Sequence, residues 1–150
     1  MTATTWRSDV VAGVLAVLAA QKTATPTQLR AVYSSRPGSF PEVPAAYIAG
    51  RDEDIGYSFG LRTRTMRGLQ VVLVDAMPDP IQAGDRLDDL VDLLVDRFTA
   101  AYAQVAGGNS MLELSGVTDT EVETPGANGP VVYRGAILSF GRTFITEGRT

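Results

Sequence analysis

Apolar side chains recur at helical spacing near the start of the chain. The residues concerned share one helical face: Trp6, Val10, Val14, Val17 and Leu18. This stripe predicts an amphipathic helix from Trp6 to about Gln21, which Thr4 or Thr5 can cap. Pro26 cannot continue a helix, so the chain leaves the helical conformation before it.

A second helix is indicated downstream. Asp79-Pro80-Ile-Gln82 has capping-box spacing with proline at the first helical position, and Gly107-Gly108 provides a stop. The apolar residues between these signals fall in one arc: Leu87, Leu90, Val91, Leu94, Phe98, Ala101, Tyr102 and Val105. The opposite arc carries five carboxylates, at Asp85, Asp88, Asp89, Asp92 and Asp96.

Short apolar segments between the two helices predict strands. Leu29 to Tyr33 and Ala45 to Ala49 are brief, and a proline-rich loop at Ser34 to Pro44 separates them. Leu69 to Val74 is apolar on both faces, which is typical of a central strand covered on two sides. Arg51 to Asp54 is interpreted as a polar loop.

Tyr57 to Thr65 alternates apolar and polar positions. The pattern predicts a strand with Tyr57, Phe59 and Leu61 on the core face and with Ser58, Arg62 and Arg64 on the wet face. Arg67-Gly68 is the predicted turn into the next strand.

Two long extended segments close the chain. Ser110 to Glu123 and Val131 to Thr146 flank Thr124 to Pro130, whose glycine, proline and asparagine content is turn chemistry. The segments predict a β-hairpin whose long arms project or carry bulges near Ser115-Gly116 and Gly141. The sequence therefore predicts a single α+β domain over residues 1–150, with an antiparallel-dominated sheet, two α-helices packed on one face and a long C-terminal β-hairpin.

Composition removes most catalytic chemistry. The chain has no cysteine and no histidine, so thiol nucleophiles, imidazole bases and thiolate or imidazole metal ligands are excluded. No glycine-rich segment matches a phosphate-binding or dinucleotide motif. We therefore expect no catalytic residue, no cofactor and no metal, and the protein is not expected to be an enzyme. An unfamiliar enzyme that uses carboxylates alone remains an alternative.

Charge and hydropathy limit the partners. The net charge is −4, from 17 acidic and 13 basic residues, which disfavours nucleic-acid binding over the whole surface. The longest apolar run, Val10 to Ala20, falls well short of the ~20 residues that span a bilayer. Neither a membrane partner nor a signal peptide is expected.

Two groups of charged residues are candidate interface residues. Arg62, Arg64 and Arg67 form either a phosphate-contacting patch or, as we favour, pairs with acidic residues across the sheet or across a subunit boundary. The acidic arc of the second helix is convex, so it suits a solvated or partner-facing surface better than a metal site. Its residues Asp85, Asp88, Asp89, Asp92 and Asp96, with the flanking Leu93, complete the candidate set.

The arrangement resembles the tail terminator proteins of long-tailed bacteriophages, the family that includes the lambda terminator. The resemblance covers nearly the whole chain, and the following segments carry it in order: Trp6-Arg-Ser-Asp-Val, Pro44-Ala-Ala-Tyr-Ile48, Val71-Val-Leu-Val74, Asp85-Arg-Leu-Asp-Asp-Leu-Val-Asp92 and Tyr133-Arg-Gly-Ala-Ile137. No single motif among them is diagnostic. No functional residue is carried over from the family.

The resemblance implies a virion structural protein of the tail and neck, made in the host cytoplasm. Such proteins form a homohexameric ring on the head-proximal end of the tail tube, stop tube polymerisation and meet the head-completion, or stopper, protein. Genomic DNA passes through the lumen without specific binding. The alternatives are another neck or connector component, such as a stopper or tail-completion protein, and a small nucleic-acid-binding module that uses the three arginines.

Overall fold

Two helices and eight strands form within the part of the chain that the structure, a computed structural model, describes: residues 6–22, 29–77, 80–106, 113–141 and 143–148. The helices are α1 (Trp6–Ala20) and α2 (Pro80–Ala106). The strands are β1 (Ala31–Tyr33), β2 (Ala45–Ala49), β3 (Asp52–Ser58), β4 (Leu61–Arg67), β5 (Gln70–Asp75), β6 (Leu114–Thr124), β7 (Val131–Phe140) and β8 (Thr143–Gly148).

The larger sheet has five strands in the order β1-β2-β5-β7-β6. Only the short β1 pairs in parallel, with β2, and the other neighbours are antiparallel. β5 is the central strand, and Val71 to Val74 are all buried because the sheet is covered on both faces. The predicted α+β class with an antiparallel-dominated sheet is confirmed.

Both helices pack on one face of this sheet. Val10, Val14 and Leu18 of α1 are fully buried, as are Leu90 and Leu94 of α2 to within a few per cent. These side chains join one core cluster with the strand residues that face them: Ala46, Ile48, Val71, Leu73, Ala136 and Leu138. The predicted helical faces are therefore the packed faces, although the side chains of Trp6, Ala101, Tyr102 and Val105 lie outside the described part.

The loop between β1 and β2 covers the other face. Phe40 stacks on Tyr47 with ring centroids 5.9 Å apart and meets Tyr133 edge-on at 5.2 Å. Val72, Val74 and other alternate strand residues complete this smaller core. Burial of the phenol among these rings raises the pKa of Tyr47, and nearby Arg36 partly offsets the effect.

The smaller sheet, of order β3-β4-β8, continues the central strands of the larger one. β2 leads into β3, β4 leads into β5, and β7 leads into β8, so each strand of the small sheet adjoins its counterpart in the order β2-β5-β7. A glycine stands at each junction: Gly50, Gly68 and Gly141. Gly50 and Gly68 have positive φ angles of 68° and 65°. These residues let the chain change direction between the sheets.

The C-terminal hairpin of β6 and β7 is confirmed, and so is a bulge between Leu114 and Gly116. Its predicted second arm, however, is two strands, because the chain passes at Gly141 into β8, which pairs with β4. The predicted residues 110–112 lie outside the described part.

Another prediction between the helices is wrong: Asp52 to Asp54 belong to β3, not to a loop, and they pair with β4. The chain does bend at Gly68 between β4 and β5, as predicted, and these two strands belong to different sheets.

Candidate assembly surfaces

The hairpin of β3 and β4 presents apolar side chains to solvent at its end. Phe59 and Gly60 form the turn, both with positive φ, of 48° and 78°. Phe59 is fully exposed at 102 %. Ile55, Tyr57, Phe59 and Leu61 are all exposed, and we call these four residues the tip surface.

The turn also changes which residues share a face. Tyr57 pairs with Arg62 and Ile55 with Arg64, so these four side chains lie on one face of the hairpin. Leu61 pairs with Ser58 and lies on the opposite face. The predicted common core face of Tyr57, Phe59 and Leu61 is therefore wrong, since the turn interrupts the alternation.

Cross-strand ion pairs hold two of the three candidate arginines. Arg64 donates from Nε and Nη2 to the two carboxylate oxygens of Glu53, each at 3.0 Å. Arg67 lies on the other face, where its Nε is 2.6 Å from Asp54 Oδ2. Arg62 and Arg64 share a face as predicted, whereas Arg67 does not join them. The favoured pairing with acidic residues across the sheet is confirmed for Arg64 and Arg67.

A second exposed apolar surface lies around the β6–β7 hairpin. Met77, Val131 and Val132 are its exposed apolar residues, and we call them, with the β6 carboxylates Asp119, Glu121 and Glu123, the hairpin surface. Val117 is exposed too, but it pairs with Leu138 and lies near the junction of the two sheets. A groove of about 340 Å³ lies beside Met77 and is lined by Asp119, Thr120, Glu121, Arg134 and Gly135. β6 is an edge strand of the larger sheet.

The tip surface and the hairpin surface lie at opposite ends of the connected strands. β4 begins beside the tip and ends at the junction, and β5 then runs from Gln70 to Asp75. Gln70 pairs with Ser139 and Asp75 with Arg134, so the start of β7 and the hairpin turn lie beyond the far end of β5. Together the two surfaces contain seven of the eight large hydrophobic residues that are exposed in the described part of the chain, and Val117 is the eighth.

The start of α2 is tied to the end of β5 by an ion pair. The Asp75 side chain is completely buried, and its Oδ2 accepts from Arg86 Nε at 2.7 Å. Oδ1 accepts from Arg86 Nη2 and from the Ala76 amide. The hydrogen bonds from its guanidinium to Asp75 raise the pKa of Arg86. The pair orients the helix against the sheet.

The acidic arc of α2 faces solvent. Asp88, Asp89, Asp92 and Asp96 are exposed, Leu93 is half-buried, and the side chain of Asp85 lies outside the described part. None of the described residues forms a cluster of three or more metal-ligating side chains. Over the same residues, neither helix has the length and hydropathy needed to cross a membrane.

Several residues of the two surfaces escape sequence reasoning. Ile55, Met77, Val131 and Val132 are isolated apolar residues whose exposure depends on the sheet topology. Phe59-Gly60 is the one local signal, because glycine supplies positive φ in tight turns.

Neither the scan against protein-family models nor the search of curated proteins finds a match for this chain.

Proposed function

We propose that the protein is a tail terminator of a long-tailed bacteriophage. Six copies form a ring on the head-proximal end of the tail tube, end its polymerisation and present a surface to the head-completion protein. Genomic DNA passes through the ring. The role is structural and not enzymatic, and its place is the tail and neck of the virion.

The observation that carries this proposal is the presence of two unlike apolar surfaces at opposite ends of the strands. Contiguous exposed apolar side chains mark interaction sites. A copy with two different adhesive ends joins its neighbours head to tail, and such contacts close into a ring when the rotation between copies permits. A head-to-tail ring subunit needs two complementary surfaces, whereas a monomeric binding module does not.

Surface charge supports the same role. Exposed carboxylates on α2, together with the net charge of −4, oppose tight binding of DNA phosphates wherever they meet the passing genome. The alternative nucleic-acid-binding module relies on three arginines, of which Arg64 and Arg67 are occupied by Glu53 and Asp54. Duplex DNA binding that weakens steeply with salt would favour that module.

Deletion of the gene in its phage tests the proposal. Without a terminator, tails of uncontrolled length should be seen by electron microscopy, because nothing ends tube growth. Normal-length tails that fail to join heads would instead show a stopper, the alternative neck component.

Mass measurement gives an independent test. The wild-type protein should be found as a hexamer on the end of purified tails, whether or not it is monomeric in free solution. A protein that is monomeric in solution and absent from tail ends would refute the terminator role.

A further inference from the structure

We propose that Asn128, in the turn between β6 and β7, deamidates spontaneously and that its isoaspartate product opens this turn. The modification needs only water and the chain itself, so it does not depend on the proposed ring. Asn128 is followed by glycine, whereas Asn109, the other asparagine of the chain, is followed by serine.

The reaction is an attack of a backbone nitrogen on a side-chain amide. The Gly129 nitrogen gives its proton to hydroxide and bonds to Asn128 Cγ. The Cγ–Nδ2 bond then breaks, and the nitrogen leaves as ammonia after taking a proton from water. The succinimide that forms adds water at either carbonyl. Hydrolysis at Cγ leaves aspartate, and hydrolysis at the main-chain carbonyl leaves isoaspartate, which carries one extra atom in the main chain.

The structure leaves both reacting groups accessible. Residues 125–130 are all exposed, and no hydrogen bond within the described part of the chain holds the side-chain amide of Asn128. Glycine at position 129 has no side chain to shield the attacking nitrogen. Water and hydroxide therefore reach the nitrogen and the amide from solvent.

A single hydrogen bond closes the turn. The Gly129 amide donates to the Gly126 carbonyl oxygen at 3.3 Å, which is longer than a usual amide–carbonyl hydrogen bond. The paired strands end at Thr124 and Val131, so the turn lies outside the ladder of the sheet. Exposed hydrogen bonds at such loop ends open easily. Opening frees the nitrogen that attacks Asn128.

Close packing across the turn makes isoaspartate disruptive. A Cβ atom at Gly126 would lie 2.6 Å from the Gly129 carbonyl oxygen and 2.8 Å from a methyl carbon of Val131. The two glycines therefore pack backbone against backbone. An extra main-chain atom between them displaces Gly129 from Gly126 and breaks their hydrogen bond. Aspartate at position 128 adds no such atom and leaves the turn closed.

Ageing of the purified full-length protein tests the site. Peptide mapping by mass spectrometry should show Asn128 converted at least about tenfold faster than Asn109, with isoaspartate among the products. The rate should rise about tenfold for each unit of pH, because the attacking nitrogen must first lose its proton. It should stay within about tenfold of the rate in urea-unfolded protein, since only one exposed hydrogen bond has to open.

Asn128→Gln is the matched control. It keeps a side-chain amide but moves it one methylene further along the side chain, so position 128 should stay unmodified under the same conditions. Conversion of Asn128 in folded protein more than about a hundredfold slower than in the unfolded chain would overturn the proposed site, because the turn would then protect it.

Thermal unfolding tests the effect on the turn. The isoaspartate form, purified from aged protein, should unfold about 2–4 °C below the wild type, the shift expected from the loss of one hydrogen bond in a chain of this size. Asn128→Asp carries the same added charge without the extra main-chain atom and should unfold with the wild type. Equal unfolding temperatures for the isoaspartate form and Asn128→Asp would contradict the opening of the turn.

Discussion

A missing side chain shapes the junction between the two sheets. A Cβ atom at Gly50 would lie 1.7 Å from the carbonyl oxygen of Gly68, which is far inside van der Waals contact. At Gly68 itself a Cβ atom would meet nothing within 4 Å, although the φ angle of 65° is nearly the same. Glycine is therefore required at Gly50 because a Cβ atom would clash with the backbone. At Gly68 it is favoured only because of the left-handed φ angle.

We expect Gly50→Ala to lower the free energy of unfolding by more than about 3 kcal/mol, or to prevent folding, because the backbones must move apart. Gly68→Ala should cost only about 1–2 kcal/mol, the usual penalty for a left-handed conformation with a Cβ atom. Urea unfolding of both variants measures the difference. Equal losses would contradict the close approach at Gly50.

The buried carboxylate of Asp75 depends on its guanidinium partner. Arg86→Ala removes that partner and leaves a charge in the core, so we expect a loss of roughly 3 kcal/mol in unfolding free energy. Adding Asp75→Asn should recover part of this loss, since it removes the uncompensated charge. Arg97→Ala, at an exposed site on the same helix, is the control and should change stability by less than about 0.5 kcal/mol. Additive effects of Arg86→Ala and Asp75→Asn in urea unfolding would contradict the coupling.

At the scale of elements, α2 has an apolar face that packs on the sheet and an acidic face that lowers the stability of the helix. Asp88, Asp92 and Asp96 follow one another at four-residue spacing on its exposed face. Like charges at this spacing repel, so the acidic arc is not explained by helix stability. We infer that the acidic arc is a solvated or partner-facing surface.

Asp92→Asn should therefore raise the free energy of unfolding, by about 0.6–1.5 kcal/mol, because it removes three repulsive pairs, with Asp88, Asp89 and Asp96. Asp96→Asn removes one pair and should give about a third of that gain. Thermal unfolding at low ionic strength tests the order of the two variants, and added salt should reduce both gains. Destabilisation by Asp92→Asn would show that the carboxylate has an attractive partner.

Three elements are predictable from this sequence. α1 and α2 lie where apolar residues at helical spacing place them, and β2 lies on a short apolar run. β3 is missed because Asp52 to Asp54 contain no apolar residue, and an exposed strand needs none. The split of β7 from β8 depends on pairing with β4, which is a distant contact.

The candidate surfaces are predictable only in part. The acidic arc of α2 follows from helical spacing, and the exposure of Asp88, Asp89, Asp92 and Asp96 agrees with it. The tip surface does not follow, because alternation makes Phe59 a core residue unless a turn is placed there. Exposure of Met77 and Val132 depends on where the helices end over the sheet, which local patterns do not encode.

At the scale of the whole molecule, three pairs of consecutive strands connect the tip of the smaller sheet to the larger sheet. β2 with β3, β4 with β5, and β7 with β8 run from the tip region to the main sheet. The covalent chain itself therefore links the tip surface to the hairpin surface.

The presence of two different surfaces on each copy also has a genetic consequence. A copy altered only by Phe59→Asn keeps its hairpin surface, so wild-type neighbours still recruit it, yet it offers no tip to the next subunit. We expect its co-expression during infection to be dominant negative: the phage titre should fall more steeply than the fraction of subunits that are wild type.

A copy altered at both ends, Phe59→Asn with Met77→Asp, should be recruited by neither neighbour and should leave the phage titre unchanged. Equal inhibition by the two variants would contradict recruitment through a single intact end. In a closed ring, a single defective subunit would inactivate the whole assembly.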